Sequence, residues 1–326
     1  YGNMDMAERL DYLDREYLSH YEEKKVDSEV KLQEPFAEIK HVAVEYPIGS
    51  DENEAENAYL TYNATVGDTL DRELYIAFQV LDYALCTAPG APLKRALLEK
   101  GIGTDIYSIY ENGIKQPYFS IVSKNADEKQ EKEFVETVEE VLGKIVKDGF
   151  DKKALYAALS HYEFKYREAD FGSTPKGLMY GLQMLDSWLY DDAKPFIHVE
   201  ANATFAALKK KVEEGYFEEL VKKYLIENTQ KSILLLLPRK GLTEKSDKEL
   251  EEKLAAYKAG LTKEEIAKII ADSKALKEYQ DSEDAEEDLQ KIPLLTREDM
   301  KKEATKTVNE LRSIGNTPFL YHDIFS

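Results

Sequence analysis

The sequence predicts an α+β domain, an antiparallel-rich sheet packed by helices, followed by a long antiparallel helical hairpin. Three observations lead there. Short segments alternating apolar and polar on a period of two are separated by longer ones with apolar residues every three or four. An Asn-Gly step joins two of the alternating segments and favours a tight hairpin turn. Beyond Gly241 the composition turns to Lys and Glu around heptad-like apolar rows.

The elements follow in order. Met6, Leu10, Leu13, Tyr17 and Tyr21 recur at helical spacing and predict a helix over 5–21. Residues 39–48 and 58–66 alternate β-branched and aromatic residues with polar ones and read as strands. Helices are expected over 71–86 and 92–100, the second ending at Gly101 and Gly103. Strands 104–110 and 118–124 flank Glu111-Asn112-Gly113, where the turn is expected. Helices then dominate: 127–147, begun by the capping pair Asp127 and Gln130, then 151–169, 175–189, 203–213 and 216–227. The apolar run 231–237 reads as a buried strand stopped by Pro238.

In the Lys/Glu-rich stretch, Leu250, Leu254, Tyr257 and Leu261 form one row, and Ile266, Ile269, Ile270, Ser273, Leu276 and Tyr279 a second. Gly260 breaks them, and Thr262 with Glu265 restarts the helix. An acidic connector spans 281–288. Residues 307–314 and 319–324 read as two strands turned at Gly315-Asn316. Two strands cannot make a stable domain, so they read as the opening of another one. The expected domains are therefore 1–240, 241–291 and 292–326, and with Tyr1 at its start the sequence reads as a piece of something longer.

Composition narrows the function. The 326 residues carry 44 Lys+Arg against 64 Asp+Glu, a net charge of −20, which argues against a general nucleic-acid binder because that affinity comes from cations displacing counterions. The longest aliphatic run, Ile233 to Leu237, is far below the roughly 20 residues that span a bilayer, so no membrane partner is expected. A lone Cys86 excludes an internal disulfide framework and favours a reducing, cytoplasmic setting.

The search for chemistry is mostly negative. His20, His41, His161, His198 and His322 are at least about 20 residues apart, so no helix presents two imidazoles at i and i+4 to one metal. Glu163 and Arg167 are expected to pair along the helix around His161, with Phe164 facing the core. No GxSxG elbow occurs, Cys86 has no neighbouring His, and Gly101-Ile102-Gly103 lacks the third glycine of a dinucleotide fingerprint.

A set of motifs nonetheless carries a resemblance. The run Ala91-Pro92-Leu93-Lys94-Arg95-Ala96-Leu97-Leu98-Glu99-Lys100-Gly101-Ile102-Gly103 resembles a stretch of presequence-protease-like zinc peptidases of the pitrilysin/insulinase superfamily. So do Gln116 with Phe119-Ser120-Ile121, Glu163 to Glu168, Pro175-Lys176-Gly177-Leu178, Trp188-Leu189-Tyr190 and Thr317-Pro318-Phe319, in the family's order.

The resemblance implies the second, non-catalytic domain, the helical linker and the first strands of the third domain of a zinc metallopeptidase. Such enzymes enclose unstructured peptides in a chamber built of four domains. The zinc ligands and the catalytic Glu would lie on the first domain, so no catalytic residue and no metal ligand is expected here, and zinc belongs to the parent protein. Partners would be unstructured peptides and the first, third and fourth domains. The strand after the glycine pair, Thr104, Asp105, Ile106, Tyr107 and Ser108, is the one expected to grip substrate by β-addition. Two other readings fit the same residues: a structural or regulatory homologue that never carried zinc, and a free-standing peptide-binding module with the hairpin as a docking arm.

Overall fold

A computed structural model describes residues 4–300, 302, 303 and 309–322. The chain divides at Thr243/Glu244 into two compact units. In the first, strands β1 (Lys40–Pro47), β2 (Ala58–Thr65), β3 (Asp105–Glu111), β4 (Tyr118–Ala126) and β5 (Lys231–Arg239) form one sheet in the order β1-β5-β2-β4-β3. Every neighbouring pair is antiparallel except β1 with β5. The sheet is thus antiparallel-rich, as expected, with β1 and β3 at its edges.

The helices are α1 (Met6–Glu16), α2 (Arg72–Asp82), α3 (Pro92–Glu99), α4 (Glu131–Asp148), α5 (Lys152–Glu168), α6 (Lys176–Trp188), α7 (Asn202–Lys211) and α8 (Tyr216–Leu220). Helix α2 is the hub. Asp71 caps it by accepting from Glu73 N and Leu74 N at 3.0 Å each, and Leu74 to Phe78, Val80 and Leu81 are all buried. Phe78 meets Tyr110, Phe119 and Tyr224 at ring distances of 5.6, 6.0 and 5.7 Å, tying α2 to β3, β4 and the segment after α8. Helix α4 buries a single stripe, Phe134, Val138, Leu142 and Ile145, at helical spacing. Asp127 and Gln130 form the expected capping box before it.

Side-chain alternation divides the sheet. Leu60, Tyr62, Phe119, Ile121, Ile106, Ile233 and Leu235 face the helices and belong to the core. Register puts Val42, Leu234, Thr61, Val122 and Tyr107 in one row on the opposite face. None of these five belongs to the helix-packed core.

Several expectations are corrected. Residues 112–117 form a six-residue connection rather than a tight Asn-Gly turn. The carbonyls of this loop are engaged elsewhere: Val66 N and Thr69 N donate to Pro117 O and Lys115 O, and Thr69 Oγ1 donates to Asn112 O. Strand β5 continues through Pro238, because β2 accompanies it only as far as Leu236, so the missing N–H costs no bond on that side. Phe164 is 65% exposed, because Leu155, Ala158, Leu159, Tyr162 and Tyr166 set the inner face of α5. The apolar row of α1 is exposed, and α1 ends at Glu16 before a short 3₁₀ turn. Helix α2 and helix α8 run on as π-helical segments, Tyr83–Thr87 and Val221–Ile226, which periodicity does not reveal.

The second unit contains most of α9 (Leu242–Ala259), then α10 (Lys263–Asp281), α11 (Glu286–Leu289), β6 (Asn309–Ile314) and β7 (Thr317–His322). The break at Gly260 and the Thr262/Glu265 capping box fall where the sequence places them. No residue of α9 or α10 is buried, so the packed seam of a hairpin is not formed among the described residues. Strands β6 and β7 turn at Gly315-Asn316, Gly315 taking φ +59°. Of the expected strand residues, 307, 308, 323 and 324 lie outside the described residues.

Candidate functional site

The edge strand β3 is built by the glycines before it. Gly101 adopts φ +69° and closes α3, with Ile102 N donating to Leu97 O at 2.9 Å. Gly103, at φ +74°, passes so close to β4 that a Cβ there would lie 2.6 Å from Lys124 O and overlap Ser123 Oγ. Ser123 Oγ in turn donates to Ile102 O at 2.8 Å. The chain thereby enters β3 tight against β4.

Of the five residues expected to grip substrate, Thr104 precedes the strand and donates its N–H to Lys124 O at 3.0 Å. Asp105 and Tyr107 face the sheet surface opposite the helices. Ile106 and Ser108 point into the helix layer. Ile106 is fully buried, while Ser108 Oγ lies buried close to Asp82 and Cys86. The five therefore form one strand but no single side-chain cluster. What they offer together is the outer backbone of β3 flanked by alternate side chains.

The other edge, β1, carries Lys40, His41 and Glu45 and ends in Pro47. His41 Nδ1 lies 3.0 Å from Glu131 Oε1, and Arg239 Nε donates to Glu45 at 3.1 Å. Charges and a terminal proline discourage strand addition there.

Between the edges lies the face without helices. A polar row, Ser232, Asn63 and Ser120, is cross-linked by Ser120 Oγ donating to Asn63 Oδ1 at 2.6 Å and Asn63 Nδ2 donating to Ser232 O at 3.1 Å. Beside it run Val42, Leu234, Thr61, Val122 and Tyr107. Val42 and Val44 are 44% and 46% exposed, and Ile109 is 42% exposed. No single stretch of sequence contains this surface. Its signal is the unbroken aliphatic run of β5, apolar on both faces.

Residues 1–162 match the family described as "Peptidase M16 inactive domain", and residues 236–326 match the region described as associated with subfamily C of the M16 peptidases. This chain belongs to the M16 (pitrilysin/insulinase) peptidase superfamily. Protein HypA of Clostridium perfringens is 39% identical over 323 residues, 99% of this chain and 33% of that protein. Presequence protease 1, chloroplastic/mitochondrial, of Arabidopsis thaliana is 31% identical over 336 residues, 100% of this chain and 31% of that protein. The M16 chain thus spans about a third of the length of the curated relatives it matches.

Among solved structures, a protease from Helicobacter pylori has a TM-score of 0.53 at 12% identity, covering 73% of this chain and 53% of that one. A ferredoxin protease in complex with Arabidopsis ferredoxin has a TM-score of 0.52 at 12% identity, covering 72% and 24%. These show the shared fold.

The M16 domain here is of the inactive type. Among the described residues no three His, Cys, Asp or Glu side chains converge as a metal would require. Those that carry chemistry are otherwise engaged. Burial pushes the Cys86 thiol up to about 12, which removes it as a nucleophile at ordinary pH. His161 stacks on Tyr83 at 4.7 Å, and burial lowers its pKa. Glu163 accepts from Arg167 at 2.9 Å and from Lys209, and these cations lower its pKa. No helix among the described residues is long and apolar enough to cross a membrane.

Proposed function

We propose that this M16 unit is a non-catalytic wall of the chamber of a zinc metallopeptidase that degrades short unstructured peptides, with β3 as the edge to which substrate adds. The carrying observation is the one-sided sheet: helices cover one face, the other keeps an apolar row beside a polar one, and β3 ends that face with an unpaired edge. Backbone pairing along such an edge tolerates many peptide sequences, which suits a degradative enzyme.

The inactive-type domain and the presequence protease relatives support the same reading. Among the described residues no three side chains group to fit a metal, so zinc and the groups that activate water are proposed to lie on another segment, and no step is routed through them. Domain limits near 240 and 291 accompany this reading, with the 242–281 helices joining this wall to the remaining domains as linker. A single cysteine suits a reducing compartment such as the cytoplasm.

Hydrogen exchange of the whole enzyme, inactivated by chelation, tests the reading. An added unstructured peptide should slow exchange of amides within 105–111 several-fold and leave those of 40–47 unchanged. Unchanged exchange in 105–111 under saturating peptide removes β3 as the substrate edge.

A further inference from the structure

Between α2, α5 and α6, away from the sheet's open face, lies a cavity of about 420 Å³. That volume lies in the range of sites that enclose a small ligand. Its walls are aromatic, with Tyr75, Tyr162, Tyr166, Phe171 and Tyr180, and its carboxylate is Asp186.

The walls are fixed in place. Tyr75 is 4% exposed, held flat against the His198 ring with centroids 3.6 Å apart, and donates its hydroxyl to Asp186 Oδ2 at 2.8 Å. Gln79 Nε2 and Gln183 Nε2 both donate to the Tyr166 hydroxyl, at 3.3 and 3.1 Å. Phe171 meets Tyr180 edge-to-face at 5.9 Å. Such locked rings present preorganised π faces.

The charge is unbalanced at one end. With Oδ2 occupied by Tyr75, Oδ1 is the free oxygen of Asp186, 3.2 Å from where a Cβ on Gly113 would stand. Glu111, just outside the cavity lining, has Oε1 3.4 Å from that same point, and its one bond is from Gly113 N. Two carboxylates thus approach one another with no ion-pair partner for either among the described residues. Burial and the nearby Glu111 charge both raise the pKa of Asp186, and a cation beside it would relieve the repulsion between the two carboxylates. The cation of the lining, Lys165, is exposed and sits over the Tyr162 ring at 5.7 Å.

We propose that this cavity binds a cationic peptide side chain, guanidinium or ammonium, with Asp186 Oδ1 as its counter-ion and the tyrosine rings as its stacking walls. Asn112, which follows the last residue of β3, also lines the cavity. A peptide added to that edge would therefore have a side-chain pocket at the strand's end. The peptide as source rests on the reading of β3 above, whereas the preference for a cation does not.

The test uses this chain and three doubly blocked amino acids, N-acetyl N′-methylamides of arginine, lysine and citrulline, the last being neutral and close to arginine in shape. Chemical-shift perturbation or calorimetry should show millimolar binding of at least one cation and binding at least tenfold weaker for citrulline. Asp186→Asn should cut cation affinity at least tenfold, and Tyr180→Ala should weaken it several-fold with Asp186 intact. Arginine favoured over lysine assigns a guanidinium site, and the reverse an ammonium site. Equal binding of citrulline, or no binding of either cation, overturns the proposal without any reliance on a variant that folds poorly. An uncharged blocked Ala/Thr peptide separates the two readings. If it protects β3 while the cations fail, only the pocket is lost, and if the cations bind while β3 stays unprotected, only the edge strand is lost.

Discussion

Acidification should unlatch the loop that carries His198. This imidazole is fully buried, it stacks on Tyr75, and neither ring nitrogen has a hydrogen bond of good geometry. Burial pushes its pKa down to about 4 from an ordinary 6.5, with the Arg72 charge acting in the same direction and the Thr69 backbone opposing. The folded state therefore holds a neutral ring, while the unfolded chain takes up a proton below pH 6.5. The contribution is complete above pH 6.5 and is lost as pH falls from there towards 4. At 1.36 kcal/mol per pKa unit the shift corresponds to about 3 kcal/mol, a large share of the roughly 5–15 kcal/mol by which domains are stable.

The comparison is with His198→Phe, which keeps a ring against Tyr75 and cannot titrate. The other titrating groups, including Asp82 and Asp186, whose pKa values burial raises, are present in both proteins, so the difference between them isolates the imidazole to first order. Urea unfolding followed by far-ultraviolet circular dichroism at pH 7 and pH 4 gives the difference. The stability gap between the proteins should move by about 3 kcal/mol in favour of the variant at pH 4, about 1 M in midpoint for a unit of this size. A gap independent of pH refutes the reasoning, because the proton uptake would then not be that of His198.

Two further substitutions probe how the site is held. Gly103→Ala places a Cβ against Lys124 O and Ser123 Oγ in a left-handed conformation, so it should cost about 2–4 kcal/mol of unfolding free energy in urea and loosen the amides of 105–111 in hydrogen exchange. Exchange unchanged along β3 would mean that the glycine does not set the strand's entry. Lys231, 3% exposed, donates to Tyr62 Oη, Leu225 O and Ile226 O at 2.9, 3.1 and 2.7 Å, closing the end of the segment after α8. Lys231→Met keeps the volume but takes the ammonium from Ile226 O, while Leu225 O keeps the Tyr62 hydroxyl at 2.6 Å, for an expected loss of about 1–3 kcal/mol by thermal and urea unfolding, and a neutral result would show that water replaces the ammonium.

Local signals were legible where neighbours in sequence settle the energy. Capping pairs at Asp127/Gln130 and Thr262/Glu265 satisfy orphan N–H groups within one turn, so they could be read without tertiary contacts. The Gly315-Asn316 turn is of the same kind. Asn112-Gly113 pairs the same two residue types in the reverse order and failed, because Val66 and Thr69, both distant in sequence, fasten that loop. Phe164 failed likewise. Its outward position follows from which face of α5 meets α2 and α7, something a helix surrounded by aromatics does not declare.

From residue order alone came the α+β class, the element sequence and the absence of a local metal motif, each resting on spacing along the chain, while the superfamily came from the resemblance of motifs such as the 91–103 run. Strand order, the helix-free face of the sheet, the free edge at β3 and the Asp186 cavity came only with the tertiary structure. The physical reason is that register and helix docking are fixed by burial summed over residues far apart: Val42, Leu234, Thr61, Val122 and Tyr107 become one row only after four strand pairings are made. Tyr75 and Asp186, 111 positions apart, meet only because α2 and α6 converge on one cavity.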